Sequence, residues 1–339
     1  EPSESSVLPT YKEESIIETK IDDVIELDYP MEKVELVVVD SSTDDTRELI
    51  REYFEELDVP ELILLEEDER RGLAPALNDA YETASNEVVV KTDCDSKLPS
   101  DVLLEATANL ADDDVAAVTG RNVRVLGGSK VESSYRGVQN YIQQLESHLD
   151  STLIFHGPFS AFKNDALLSI DPNSLADDTE LALKIRRQGG RVVFDPAVKY
   201  MEASFSDFVK RRKQKDRRGM GLIRLLVQHK DALGKYGKYG KVVLPFNWRF
   251  MIFSPWLLSA TLVAGTAAIV SVTGFSGLIL PTGVGVFAYL GQKDWLGPAQ
   301  AFYSIFDTQV SLLRASIELF VSDSDGMWDV DSELREAFK

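Results

Sequence analysis

Cysteine and histidine are scarce in this chain of 339 residues, which holds one of the first and three of the second. The lone Cys94 excludes an internal disulfide and fits a reducing compartment. Basic residues are short as well, 36 against 56 acidic ones, and the resulting charge of −20 argues against nucleic acid as a partner, because phosphate binding needs a basic face. Acidity spread along the whole length suits solubility in concentrated salt and points to a halophilic source. The amino end opens polar, with Glu1-Pro-Ser-Glu-Ser-Ser, and carries no signal-peptide pattern.

Another absence is local: from Phe250 to Gln292 there is no Asp, Glu, Lys or Arg. A helix needs about 20 apolar residues to span hydrocarbon, so this block holds two crossings if the second is short or bent. Phe250 to Val272 reads as the first, Thr273 to Gly277 as a turn, and Leu278 to Leu290 as the second, weakened by Pro281, Gly283 and Gly285. A helical hairpin buried in a soluble core is the competing reading. Lys235, Lys238, Lys241 and Arg249, in a basic linker over 231–249, place the entrance of the block on the cytoplasmic side by the positive-inside rule. Residues 299–322 gather Phe302, Ile305, Phe306, Val310, Leu313, Ile317 and Phe320 on one helical face. Such a helix either lies along a membrane or packs on the preceding domain. The acidic tail, 323–339, reads as a solvated end.

What is present in residues 1–230 is an alternation of strand and helix patterns, the mark of an α/β domain with an open, mainly parallel sheet. Strands are expected at Val7-Leu8, Val34–Asp40, Glu61–Leu65, Val88–Val90 and Val115–Thr119, with helices after Asp45 and over Pro75–Thr83. No internal repeat interrupts the pattern.

The most informative segment is Val88-Val-Val-Lys-Thr-Asp93-Cys94-Asp95. An apolar β-branched run that stops at two carboxylates delivers oxygen ligands to the carboxyl end of a strand, where open α/β sheets bind their ligands. Such a pair suits a divalent metal on a diphosphate. In an acidic chain it can equally be two solvated acids, and its neighbours decide.

Those neighbours are Pro9-Thr-Tyr-Lys-Glu13, Asp40-Ser-Ser-Thr-Asp-Asp, Gly72-Leu-Ala-Pro-Ala-Leu-Asn78, Gly157-Pro-Phe-Ser-Ala-Phe, Asp177-Asp178-Thr-Glu180 and Gln214-Lys-Asp-Arg217-Arg218. In this order and spacing they resemble the family 2 glycosyltransferases of the GT-A fold, over about Val7 to Gly219. The resemblance implies a nucleotide-sugar pocket walled by Pro9, Thr10, Tyr11 and Glu13, with Asp40 accepting from base or ribose, and Asn78, Asp93, Gln214 and Arg217 contributing. It implies Mg²⁺ or Mn²⁺ on Asp95 and Asp93, and Asp178 as the base that takes the acceptor's proton in one inverting displacement. The plainer readings are turn and cap chemistry for Pro9 to Asp40, and acids starting a helix for Asp177 to Glu180. Cys94 packs instead of ligating, since a thiolate is too soft for these ions. His156 is read as a packing or hydrogen-bonding residue, and Lys210 to Lys213 as basic groups that can meet anionic lipid.

Departures matter too. Arg218 stands where Gln-x-x-Arg-Trp has its aromatic platform, which argues against a processive polysaccharide synthase, and Lys12 and Leu73 replace the usual Asn and Lys. The expectation is a GT-A catalytic domain with a membrane hairpin, transferring sugar from a UDP- or GDP-sugar to dolichyl phosphate or a dolichol-linked sugar. By resemblance to haloarchaeal enzymes, that is a step in lipid-linked glycan assembly for protein N-glycosylation. A polysaccharide or glycolipid synthase is the enzyme alternative, and a catalytically silent membrane scaffold the other.

Overall fold

A computed structural model describes residues 1–55, 57, 59–127, 131–321 and 331–339, without the side chains of 131–135. Eight strands are β1 (Glu4–Thr10), β2 (Val34–Asp40), β3 (Glu61–Glu66), β4 (Val88–Lys91), β5 (Ser96–Lys97), β6 (Val115–Leu126), β7 (Ser160–Lys163) and β8 (Arg191–Ala203). They form one sheet in the order β3-β2-β1-β4-β7-β6-β8-β5. The neighbours β3-β2-β1-β4 are all parallel, whereas β7 is antiparallel to both β4 and β6. Strands β2 and β4 are buried at every position, as their continuous Val/Leu runs require of a sheet covered on both faces.

Strand order reverses between β1 and β4, where Thr10 and Asp40 end side by side and Lys91 ends beside Val7. A crevice at such a reversal is where open α/β sheets take their ligands. The chain stays helical between and after the strands, in α1 (Ile17–Ile25), α2 (Thr46–Phe54), α3 (Leu73–Thr83), α4 (Val102–Leu110), α5 (Val131–Leu149), α6 (Asp177–Gln188) and α7 (Phe208–Gln228). One apolar cluster joins Leu77, Ala80 and Leu181 to the strands, and another seats Ile17, Ile21 and Ile50 against Leu8, Leu36 and Val38.

Beyond α7 come α8 (Leu244–Trp248), α9 (Ser254–Thr273), α10 (Ile279–Gln292), α11 (Gln300–Val321) and α12 (Ser332–Phe338). Residues 231–249 are no free linker. Tyr239 is fully buried, its amide donates to Asp150 at 3.1 Å, and Asn247 donates to Glu146 at 2.7 Å. From Tyr239 to Gln292 the helical run is long and apolar enough to cross a membrane, and little of its most apolar stretch is buried. Within it α9 ends at Gly274, whose φ of +64° suits glycine, and the chain bends so that Gly277 lies against the backbone at Val270.

Helix α11 packs on α7 by the face opposite to its apolar stripe. Ser304, Asp307, Ser311 and Ala315 are buried, while Phe302, Ile317 and Phe320 are exposed. The basic run on α7 supplies the partners: Arg212 and Lys215 bind Asp307, the latter at 3.0 Å. Lys210 binds Asp331 at 2.7 Å. Lys210, Arg212 and Lys215 are thus each paired with an acid of the chain itself.

The tail corrects the expectation of a solvated end. Residues 322–330 lie outside the described residues, but α12 docks on the catalytic domain. Phe338 is buried beside Leu8 and Ile16, and Arg335 reaches the sheet edge. The driving force is ordinary: an apolar side chain leaves water, and a buried guanidinium finds two carboxylates.

Candidate active site

The carboxyl edge of the sheet opens on a cavity of about 410 Å³. Strand β1 brings Pro9, Thr10, Tyr11 and Glu13 to one wall, and the turn after β4 brings Asp93 and Asp95 to the floor. Helix α6 sets Asp177 and Asp178 at its amino end, and α7 contributes Gln214 and Arg217. Loops from distant parts of the sequence thus bring most of the expected site residues into one space.

Lys91, the last residue of β4, ties the centre together. Its buried ammonium lies 2.8 Å from Asp93 Oδ1 and 3.3 Å from Asp178 Oδ2. Burial works against its charge, yet Asp178 and Asp93 outweigh burial and hold it well above its ordinary range. Asp178 is pushed up to about 7 by burial, against the pull of Lys91. Its other oxygen, Oδ1, is buried without a partner among the described residues, as is Asp177 Oδ2. A carboxylate with one oxygen fixed and one bare suits a base awaiting an acceptor's proton.

Gly157 is what permits this closeness. A β-carbon there would lie 2.8 Å from Lys91 Nζ and 3.0 Å from both Asp178 Oδ2 and Asp93 Oδ2.

Asp95 is pushed up to about 6 by burial and by Asp93. Arg335 of α12 donates to its Oδ2 at 3.2 Å and to Glu13 Oε2 at 2.8 Å, with a second bond to Glu13 Oε1. Asp93 and Asp95 are hard oxygen donors at a cleft, each already holding a cationic side chain, so their chemistry fits Mg²⁺ or Mn²⁺ with a diphosphate completing the shell. Among the described residues no cluster of three or more His, Cys, Asp or Glu is close enough to hold an ion alone. Cys94 is buried in the apolar cluster of Leu8 and Ile16, its thiol donating to the Pro9 carbonyl at 3.7 Å.

Two expected site residues are not brought to the cavity wall. Asp40 is fully buried, and its oxygens accept from Thr10 Oγ1 at 2.6 Å, Ser42 N at 2.9 Å and Arg47 Nε at 2.6 Å. Its hydrogen-bonding capacity is spent on shaping the wall behind the pocket. Asn78 clasps the backbone of Ile170, donating at 2.9 Å and accepting at 2.8 Å, which pins α3 to the loop after β7. Both patterns are turn and strut chemistry.

Other cavity residues escaped the sequence. Arg70 lies 3.8 Å over the Tyr11 ring. Asn122 of β6, Arg136 of α5 and Glu202 of β8 line the far side with Arg218. His156 hydrogen-bonds Gln143 at 2.9 Å, and burial lowers it to about 4, so it stands neutral on that side. A charged residue closing an apolar strand was the signal that could have found Lys91.

With this geometry in hand, the relatives decide the family. A family model described as Glycosyl transferase family group 2 matches residues 88–287, and one described as Glycosyl transferase family 2 matches residues 5–170. The chain belongs to the family 2 glycosyltransferases. A solved mannosyltransferase from Pyrobaculum calidifontis, in complex with GDP-Man and Mn²⁺, is 31% identical, superposes with a TM-score of 0.80, and is matched over 94% of this chain and 87% of its own. TarS 1–349 of S. aureus with UDP-GlcNAc shares the fold, with a TM-score of 0.52 at 17% identity over 94% of this chain and 91% of its own. Poly-beta-1,6-N-acetyl-D-glucosamine synthase of Staphylococcus aureus (strain COL) is 28% identical over 199 residues, 56% of this chain and 47% of that protein. The chain thus spans about half the length of the curated relatives it matches. This member of the glycosyltransferase family 2 is built on a GT-A-like mixed α/β sheet with flanking helices.

Proposed function

We propose that this glycosyltransferase transfers one sugar, with inversion, from a UDP- or GDP-sugar to a polyprenyl carrier at the cytoplasmic face of a membrane. The carrier is dolichyl phosphate or a sugar already linked to it, and the product feeds a lipid-linked glycan of the kind used in protein N-glycosylation. The observation that carries the reading is the cavity's mixed lining. It holds Asp93 and Asp95 together with Leu222, Phe250, Met251 and Leu312, which belong to one apolar cluster that includes the start of the apolar helical run.

In this mechanism Pro9, Thr10, Tyr11 and Glu13 wall the nucleotide, and Arg217, largely buried and without a partner among the described residues, faces the diphosphate. Asp95 and Asp93 would hold Mg²⁺ or Mn²⁺, which neutralises charge on the departing diphosphate. Lys91 fixes Asp178, and the bare Oδ1 of Asp178 takes the acceptor proton as the acceptor oxygen attacks the anomeric carbon from the side opposite the leaving group.

We also read α9 and α10 as a membrane hairpin. Helix α11 packs on α7 and α12 on β8, so both flanks of the run return to the catalytic domain, which supports an even number of crossings.

The test is transfer by the full chain in detergent with GDP-mannose, UDP-glucose or UDP-N-acetylglucosamine and Mn²⁺, using dolichyl phosphate and dolichyl-linked sugars as acceptors. Mass spectrometry should show the addition of one sugar unit, a hexose from GDP-mannose or UDP-glucose or an N-acetylhexosamine from UDP-N-acetylglucosamine. Long polymer formed without lipid would favour a polysaccharide synthase, the activity named for the staphylococcal relatives.

A further inference from the structure

Helix α5 is built with its polar side in and its apolar side out. On the inner side Gln143, Glu146 and Ser147 are buried. Gln143 donates to the Ile154 carbonyl at 2.7 Å, Glu146 accepts from Leu153 N at 3.1 Å, and Ser147 Oγ accepts from Phe194 N at 2.7 Å. These bonds fix which side faces the domain. On the outer side Tyr141, Leu145 and Leu149, spaced i, i+4 and i+8, are 63%, 52% and 36% exposed and make one stripe. Between Gly137 and Leu149 the only Asp, Glu, Lys or Arg is the buried Glu146. Single exposed apolar residues are ordinary, but a stripe without ionised neighbours, opposite a polar inner face, calls for something apolar outside.

The place of α5 says what that is. Asn247 of α8 donates to Glu146 at 2.7 Å, and the uncharged run starts at Phe250. Three residues of helix span about 4.5 Å, so α5 lies within one helical turn of the start of that run. Helix α11, which follows the run and packs on α5, is reversed in the same way, with Asp307 and Ser311 buried and Phe302 and Phe320 exposed. A bilayer that receives the run meets α5 at its surface and supplies the apolar medium that the stripe lacks. The cavity lies at this level too, since Gln139 and Asn140 of α5 and Thr308 and Leu312 of α11 line it.

We propose that the outer side of α5 is a membrane-contacting face of the catalytic domain. Tyr141, Leu145 and Leu149 rest in the bilayer surface and hold the cavity at head-group level, where an acceptor whose chain stays in the membrane enters it. This rests on the reading of the chain as a membrane-anchored, lipid-directed transferase, and it adds a lipid contact outside the apolar run and α11.

The test uses the full chain in phosphatidylcholine vesicles, with an environment-sensitive nitrobenzoxadiazole label on one cysteine and Cys94→Ser in every variant. Leu145→Cys reports α5, Val263→Cys the exposed side of α9, and Asp113→Cys the exposed turn between α4 and β6. Lipids with a nitroxide on the acyl chain should quench the label at 145 and at 263 and leave the label at 113 bright. A label at 145 as bright as that at 113 overturns the proposal. So does a blue-shifted label at 145 that the nitroxide does not reach, because a second copy or another protein then covers the stripe. Quenching at 263 alone sinks only the α5 face, whereas no quenching at either position ends the membrane reading itself. The double variant Tyr141→Glu, Leu145→Glu, with unchanged melting in detergent, should lose most transfer to a dolichyl-linked acceptor in vesicles and keep transfer to the same acceptor in micelles. Equal transfer by variant and wild type in vesicles overturns the role in acceptor entry. Quenching at 145 in a protein that transfers to no lipid acceptor would leave the face standing and end the lipid-directed reading.

Discussion

Asp178 and Glu4 are both buried carboxyls, and they differ in what faces them. Asp178 lines the cavity with Lys91 on one oxygen and no partner among the described residues on the other, so Asp178→Asn keeps the shape and removes the base. Transfer to a sugar hydroxyl should fall by roughly 10²–10⁴-fold while nucleotide-sugar binding survives, as steady-state rates and calorimetry would show. A near wild-type rate on dolichyl phosphate would mean that the acceptor oxygen is already ionised and needs no base. Glu4 faces only the sheet: burial pushes it up to about 8, opposed by Ser6 and reinforced by Glu35. Between its ordinary 4.5 and about 8, the unfolded chain has lost a proton that the folded chain keeps. Stability present below that window is therefore lost as pH rises through it. Glu4→Gln should flatten this slope in urea denaturation between about pH 5 and about pH 8, and an unchanged slope would show that Glu4 is not its source.

At the scale of elements, α12 is the part with most leverage on the site. Arg335 sits between Glu13 and Asp95, each of which is raised by burial and opposed by that guanidinium. Arg335→Gln leaves two buried acids without their cation, which should lower stability by about 3 kcal/mol. It should also make the rise in melting temperature on adding Mn²⁺ larger than in the wild type, because the ion no longer competes with the guanidinium at Asp95. An identical Mn²⁺ shift in both proteins would remove Asp95 from the metal site. The strands β1 to β4 were legible because Val37-Val-Val and Val88-Val-Val are continuous β-branched runs, and Asp93, Asp95 and Asp178 because their segments occur in a known order. Arg335 was not legible: an acidic tail gives no local pattern for docking, and its partners lie over 200 positions away. Asn78 and Asp40 kept the expected positions in sequence but turned their polar atoms to backbone and neighbours, which spacing cannot tell. For α11 the sequence left the neighbour of its apolar face open for a related reason, since an apolar stripe predicts what leaves water but not whether protein or lipid receives it.

For the whole molecule, the charge and the apolar run pull towards different solvents, and the structure separates them in space. A net charge of −20 is carried by a chain whose run from Phe250 to Gln292 has no charge at all. Self-repulsion on that scale is screened by salt, so the melting temperature should climb between about 0.1 M and about 2 M KCl, and a flat response would argue against adaptation to salt. The run itself sets a topology that can be read at one residue. Phe275, 90% exposed at the bend between α9 and α10, is the far point of the proposed hairpin, while Arg335 returns to Glu13 on the catalytic domain. Cys94 is buried, so a Phe275→Cys, Cys94→Ser protein offers a single accessible thiol. In intact cells a membrane-impermeant maleimide should label that thiol, whereas a cysteine placed at the exposed Lys339 should react only after the cells are opened. Labelling of position 339 from outside would require an odd number of crossings, and it would force α12 off the active site. Failure to label Phe275→Cys until lysis would instead leave the run on the cytoplasmic side, as a hairpin lying in one leaflet or against a partner.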